Sequence, residues 1–231
     1  MRYFLALFAT IILSGSAVSQ TYEIGPLVGG TNFIGDVGRT NYVYPNSLGF
    51  GALFKWNRSP RHSFRFSVMY SQIKADDADS DDARRQQRGL FFEEDLLEFS
   101  LGLEYTFWEF DLHTAEPQGT PYLYTGIVYF EYEALRRLPD RKKLRGYDSA
   151  WSPAIPIILG YKMTVGTNVI LAGEIGVRYT FTDGLDGSYP VKQLSDREDL
   201  RFGNVNNNDW YVHSGITLTF AFGRRPCYCN F

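Results

Sequence analysis

The chain has 231 residues, 16% of them aromatic, with 23 basic against 26 acidic side chains and a net charge of −3. So even a balance argues against a nucleic-acid partner, which needs a basic surface. With 2 Cys and 3 His, a disulfide scaffold and a multi-ligand zinc site are excluded as organising principles, and no cofactor is expected.

The N-terminus reads first as an address. Met1-Arg2 is a short positive region, Tyr3 to Leu13 is apolar apart from Thr10, and Ala17-Val18-Ser19 fits a small-x-small cleavage site. This predicts a secretory signal peptide over 1–19. The apolar run is too short to cross a bilayer as a helix. Loss of Arg2 takes the net charge of the exported chain to about −4.

From residue 21 the dominant period is two, the period of a strand with two different faces. Eight segments are expected, at 21–31, 48–56, 62–70, 97–107, 121–132, 154–163, 169–181 and 210–222. In the fourth, Leu97, Phe99, Leu101, Leu103, Tyr105 and Phe107 alternate with Glu98, Ser100, Gly102, Glu104 and Thr106. The first, fifth and sixth are weaker, and Pro121 and Pro156 are awkward for central strands. The apolar faces carry no Asp, Glu, Lys or Arg. The opposite faces carry Glu23, Lys55, Arg65, Glu98, Glu104, Glu131, Lys162, Glu174 and Arg178.

A soluble sandwich or a lipocalin-like barrel alternates in the same way, but sandwich strands usually have about five or six residues. Most segments here match the roughly 9–11 residues that cross a membrane. Trp56, Tyr70, Trp108, Tyr132, Trp151 and Trp210 lie at segment ends, as interfacial girdles do. The prediction is therefore an all-β, eight-stranded antiparallel transmembrane barrel over 20–223. Its lumen is filled by side chains and by ion pairs among Lys55, Arg65, Glu98, Glu104, Lys162, Glu174 and Arg178. Long connections are expected at 74–96, 133–152 and 182–208, on the side opposite both termini.

The connections hold the remaining motifs. Asp77, Asp79 and Asp81 match the start of a calcium loop, but Asp82 stands where Gly is needed and Arg88 where the bidentate Glu belongs, so the motif fails. The same stretch offers a docking surface of mixed charge, with Asp76, Asp77, Asp79, Asp81 and Asp82 beside Arg84 and Arg85; the plainer reading is a solvated loop. Arg136, Arg137, Arg141, Lys142, Lys143 and Arg145 form a basic run suited to solvent, anionic headgroups or an acidic protein. His213-Ser214 and His62-Ser63 are neighbours along strands and point to opposite faces, so neither pair makes a nucleophile and its base. No enzyme is expected. Cys227 and Cys229, in the tail 224–231, either bond to each other in a small ring or bridge to another protein.

Several stretches together resemble one family. They are Tyr22-Glu23-Ile24-Gly25, Gly29-Gly30-Thr31-Asn32-Phe33-Ile34-Gly35-Asp36-Val37-Gly38, Phe54-Lys55-Trp56-Asn57, the loop from Lys74 to Arg84, Leu103-Glu104-Tyr105, Thr120-Pro121-Tyr122-Leu123-Tyr124 and Arg225-Pro226-Cys227. They are similar to PorG-like barrels of the type IX secretion system of Bacteroidetes. The resemblance implies a non-enzymatic outer-membrane protein that associates with a periplasmic ring of a PorK-like lipoprotein and a PorN-like protein. That apparatus exports cargo and in some members supports gliding motility. It also makes a PorK-like protein the expected disulfide partner of Cys227 or Cys229, in the periplasm. The competing class is a stand-alone barrel of the OmpA or OmpX type, serving surface adhesion or envelope integrity.

Overall fold

The computed structural model describes residues 21–114, 116–138, 141–204 and 208–223. The expected signal peptide and the cysteine tail lie outside the described residues. The strands in chain order are β1 (Thr21–Ile34), β2 (Ser47–Asn57), β3 (His62–Asp76), β4 (Phe91–Thr106), β5 (Gly119–Leu138), β6 (Arg141–Val165), β7 (Val169–Thr180) and β8 (Trp210–Gly223). Each pairs antiparallel with the next, and β8 returns to β1, so the sheet closes into an eight-stranded barrel. Closure removes the unpaired edges that an open sheet would present. Thr21 lies opposite Gly223, which puts both barrel ends on the rim with the connections 58–61, 107–118 and 166–168.

The period-two pattern is realised as two surfaces of opposite character. Leu48, Phe50, Phe66, Leu101, Ile127, Leu159, Ile175, Ile216 and Phe220 face outward and are exposed. An exposed belt of this size with no charged member is stable only against hydrocarbon, so the barrel spans a membrane. Trp151 stacks with Tyr129 at 5.1 Å between ring centroids and with Phe99 at 6.2 Å, a cluster on one edge of the belt.

Proline marks the flaws in the ladders. The β5–β6 register passes from Thr125↔Ile157 to Val128↔Ala154, skipping the pairs around Pro156. The β1–β8 register likewise passes from Ile24↔Phe220 to Leu27↔Thr217, around Pro26. Each ring lacks the N–H that a ladder bond requires, and the strand runs on at either side.

Three expectations are corrected. Residues 133–152 are not a loop: β5 and β6 continue beyond the belt as a two-stranded hairpin whose pairing reaches Leu138↔Arg141. Leu135 and Leu144 tuck into the apolar cluster at that end of the barrel, but few other apolar residues alternate with the charged ones there, so the pattern that announces a strand is lost. Tyr132 points into the barrel, buried, and does not join the aromatic girdle. Glu131 has the opposite parity from the lumen charges and lies on the outer wall, because in β5 the inward row is Tyr122, Tyr124, Val128, Phe130 and Tyr132.

Candidate functional site

With Glu131 on the outer wall, the lumen charges around the ion pairs are four acids (Glu23, Glu98, Glu104, Glu174) and four bases (Lys55, Arg65, Lys162, Arg178), all buried. Each is projected inward by strand parity, and partners come from strands far apart in sequence. Arg65 on β3 makes a two-pronged contact with Glu174 on β7, Nη1 to Oε2 at 2.7 Å and Nη2 to Oε1 at 2.9 Å. The Tyr122 hydroxyl donates to Glu174 Oε2 at 2.7 Å. Glu104 takes Lys55 and Lys162 together, each at 2.8 Å. Arg178 donates to both oxygens of Glu98 at 3.1 and 3.2 Å, and Tyr211 adds a hydroxyl at 2.7 Å. Glu23 accepts from Asn57 at 2.9 Å and Thr219 at 2.8 Å, with Lys55 3.9 Å away.

A carboxylate taken out of water is tolerated when paired and hydrogen-bonded, and each of these four is both. The tyrosines were not legible as partners in the charge pattern. Their signal is parity alone: Tyr122, Tyr124 and Tyr211 share the inward rows with the ions. Towards the rim opposite the termini the filling becomes apolar, with Phe33, Ile73, Phe92, Leu96, Phe130 and Leu185 in one cluster. Ions below and hydrocarbon above leave a plugged cylinder. His213 is buried inside it, with neither ring nitrogen hydrogen-bonded, while Ser214 lies on the other face of β8.

The second constellation caps that apolar end. Three connections that are remote in sequence, 35–46, 77–90 and 181–209, are locked together by carboxylates that accept backbone N–H groups. Asp186 Oδ2 accepts from Asp36 at 2.9 Å and from Val37 at 3.2 Å. Asp77 accepts from Gly38 at 3.0 Å and Leu90 at 2.9 Å, and Arg88 closes on it with Nε at 2.8 Å and Nη2 at 2.9 Å. The same Arg88 Nη2 reaches the Asp36 carbonyl at 2.6 Å. Gly38 has φ +81°, a left-handed conformation that lets its N–H turn to Asp77 without a Cβ penalty.

Local chemistry explains the dense charge of this segment. Asp76 caps a 3-10 turn by accepting from Ala78 at 2.8 Å, and Asp82 caps the helix α1 (Ala83–Arg88) by accepting from Arg84 at 2.8 Å. Gly89, at φ 62°, ends α1. Of the expected docking residues, Asp76, Asp79, Asp81, Asp82 and Arg84 are exposed. Asp77 is wholly buried and serves the cap, which corrects its assignment to a docking surface. Arg85 is half-buried and donates to the Gly38 carbonyl at 2.8 Å. Among the described residues no group of three or more His, Cys, Asp or Glu is arranged to hold a metal ion.

The cap also carries a pH dependence. Burial, together with the negative charges of Asp186 and Asp36, pushes the Asp183 carboxyl up to about 7. Burial likewise raises Asp186 and Asp209. A carboxyl whose folded pKa lies above its unfolded value binds more protons when folded. Its contribution to stability is therefore complete below the ordinary carboxylate range and is lost as pH rises through about 7. The segment 181–209 should resist a broad-specificity protease better at pH 5 than at pH 8, and Asp183→Asn should flatten that difference. Equal cleavage of the wild type at both pH values would contradict it.

Among solved structures, this chain is similar to three bacterial proteins. Ail, the attachment invasion locus protein of Yersinia pestis, is 8% identical, covering 89% of this chain and 100% of its own, at a TM-score of 0.47. A major outer membrane protein of Thermus thermophilus is 11% identical over 89% of this chain and 100% of its own, at a TM-score of 0.46. Neisserial surface protein A is 13% identical over 88% of this chain and 95% of its own, at a TM-score of 0.42. No curated protein matches the sequence. One family model covers residues 1–231, and the chain belongs to that family, described as Domain of unknown function (DUF6089).

Proposed function

We propose that this barrel is a non-enzymatic outer-membrane component of a type IX protein secretion system, tying a periplasmic ring of PorK-like and PorN-like proteins to the membrane. The observation that supports this best is the contact between the two stretches most characteristic of the resemblance. Gly35-Asp36-Val37-Gly38 is joined to the loop from Lys74 to Arg84 by Asp77, and to the helix that continues from that loop by Arg85 and Arg88. A barrel whose lumen is occupied by paired ions and aromatic rings is suited to anchoring and has no conduit for cargo. In this reading both termini face the periplasm, and Cys227 or Cys229 forms a disulfide with a ring protein.

The test is purification from the native outer membrane without reductant, followed by identification of what co-purifies. The expected result is a ring lipoprotein in stoichiometric amount and, on a non-reducing gel, an adduct that collapses with reductant to about 24 kDa, the mass left after some 19 signal residues are removed. Cys227→Ser with Cys229→Ser should abolish the adduct. A barrel that purifies with no stoichiometric partner would overturn the reading in favour of a stand-alone envelope barrel.

A further inference from the structure

Beyond the belt, residues 136–145 of the β5–β6 hairpin hold six bases against one acid, Asp140. None of the six forms an ion pair among the described residues. Buried Leu144 fixes the direction of the row: Arg141, Lys143 and Arg145 alternate with it along β6 and are exposed on the opposite face. Arg145 lies directly across the ladder from Arg136 of β5, and like charges paired in this way repel. Arg136 is half-buried there, and its Nε has no hydrogen-bond partner. Lys142 turns the other way, against Gly89 at the end of α1. The row sits on an ordered scaffold, because Leu135 and Leu144 belong to the apolar cluster and Lys143 bridges to Phe91 of β4. A repulsion built into the folded hairpin is relieved by an anion that spans the two strands.

Height and chemistry select the occupant. Leu97 of β4 pairs with Glu131, and Glu131 with Trp151 at the edge of the belt, the headgroup level. From Leu97, β4 runs on to Phe91. At about 3.3 Å per residue and a strand tilt of about 40°, Phe91 and its bridged Lys143 stand roughly 15 Å beyond that level. Lipid phosphates beside the girdle are therefore out of reach of this row. Between Tyr129 and Trp151 no large apolar side chain is exposed among the described residues. The hairpin thus lacks the apolar or aromatic anchor on which protein interfaces depend, and the stacking platform that the bases of a nucleic-acid strand use. Arg141, Lys143 and Arg145 recur at every second residue, about 7 Å apart. That row suits a polymer with anions repeated along its length, whereas one small anion would meet only one or two of the bases.

We propose that this face of the hairpin binds an anionic polysaccharide, whose sulfate or carboxylate groups are taken by Arg136, Arg141, Lys143 and Arg145. In the secretion reading the hairpin lies outside the cell, but the binding concerns the hairpin alone and stands whether or not a ring partner is found. Titration of the full barrel in detergent micelles with dextran sulfate, and with uncharged dextran as the control, tests it. Dextran sulfate should bind and dextran should not, and a roughly tenfold rise in salt should weaken the binding at least about tenfold. Arg141→Gln with Lys143→Gln and Arg145→Gln should also weaken it at least about tenfold. Arg58→Gln with Arg61→Gln, on the opposite rim, should leave it unchanged. If the triple variant does not fold, Arg141→Gln alone must still weaken the binding. Equal retention of dextran and dextran sulfate, a triple variant that binds as the wild type does, or single-stranded DNA of matched charge bound as tightly as dextran sulfate would overturn the proposal.

Discussion

Leu101→Arg should destabilise the barrel by about 2–4 kcal/mol in a lipid bilayer, the penalty for a cation near the midplane on a lipid-facing position. Leu101 is 63% exposed and sits in mid-strand between Phe66 on β3 and Ile127 on β5. On a water-facing surface, exposure of that degree would make the substitution nearly neutral. The sign and size of the effect therefore report the solvent outside the barrel rather than the packing inside it. Denaturant unfolding of the protein folded into vesicles measures the difference directly. A loss below about 0.5 kcal/mol, the ordinary range of a solvated surface change, would contradict a membrane-facing belt.

The second large effect is expected in the lumen. Arg65→Met leaves Glu174 buried with only the Tyr122 hydroxyl, and the uncompensated carboxylate should cost about 3–5 kcal/mol. Removing both charges, Arg65→Met with Glu174→Met, should restore most of that loss, because the desolvation of both ions disappears together with their attraction. The double-mutant cycle separates these contributions. If the double variant is as unstable as the single one, the pair contributes through its two-pronged geometry and the packing of Arg65, whose guanidinium lies 5.0 Å from the centre of the Tyr124 ring, rather than by charge balance.

The strands and the sidedness of their charges were legible in the sequence because both depend on parity. A residue two positions along a strand faces the same way wherever the strand sits, so Lys55, Arg65, Glu98, Glu104, Lys162, Glu174 and Arg178 fall inward from local pattern alone. Parity also misleads where the pattern thins. Aromatics on both faces of 121–132 blur the pattern there, and the buried row Tyr122, Tyr124, Val128, Phe130 and Tyr132 puts Glu131 on the outside. The hairpin of β5 and β6 beyond the belt is hidden for the related reason that its buried residues, Leu135 and Leu144 among them, are too sparse among Arg and Lys to show an alternation.

Tertiary structure alone decided which charges meet. Arg65 and Glu174 are separated by 109 positions, and Asp36 and Asp186 by 150, so no local window contains either contact. The same holds for Asp77, whose neighbours in sequence mark it as one more solvated acid of a charged loop. Its burial follows from Gly38 converging on it from one connection and Arg88 and Leu90 from the end of another. Sequence determines which way a side chain faces, a one-dimensional property of the strand. What it meets depends on barrel closure and on how the loops fold over the rim, because those bring together groups whose separation along the chain carries no periodic signal.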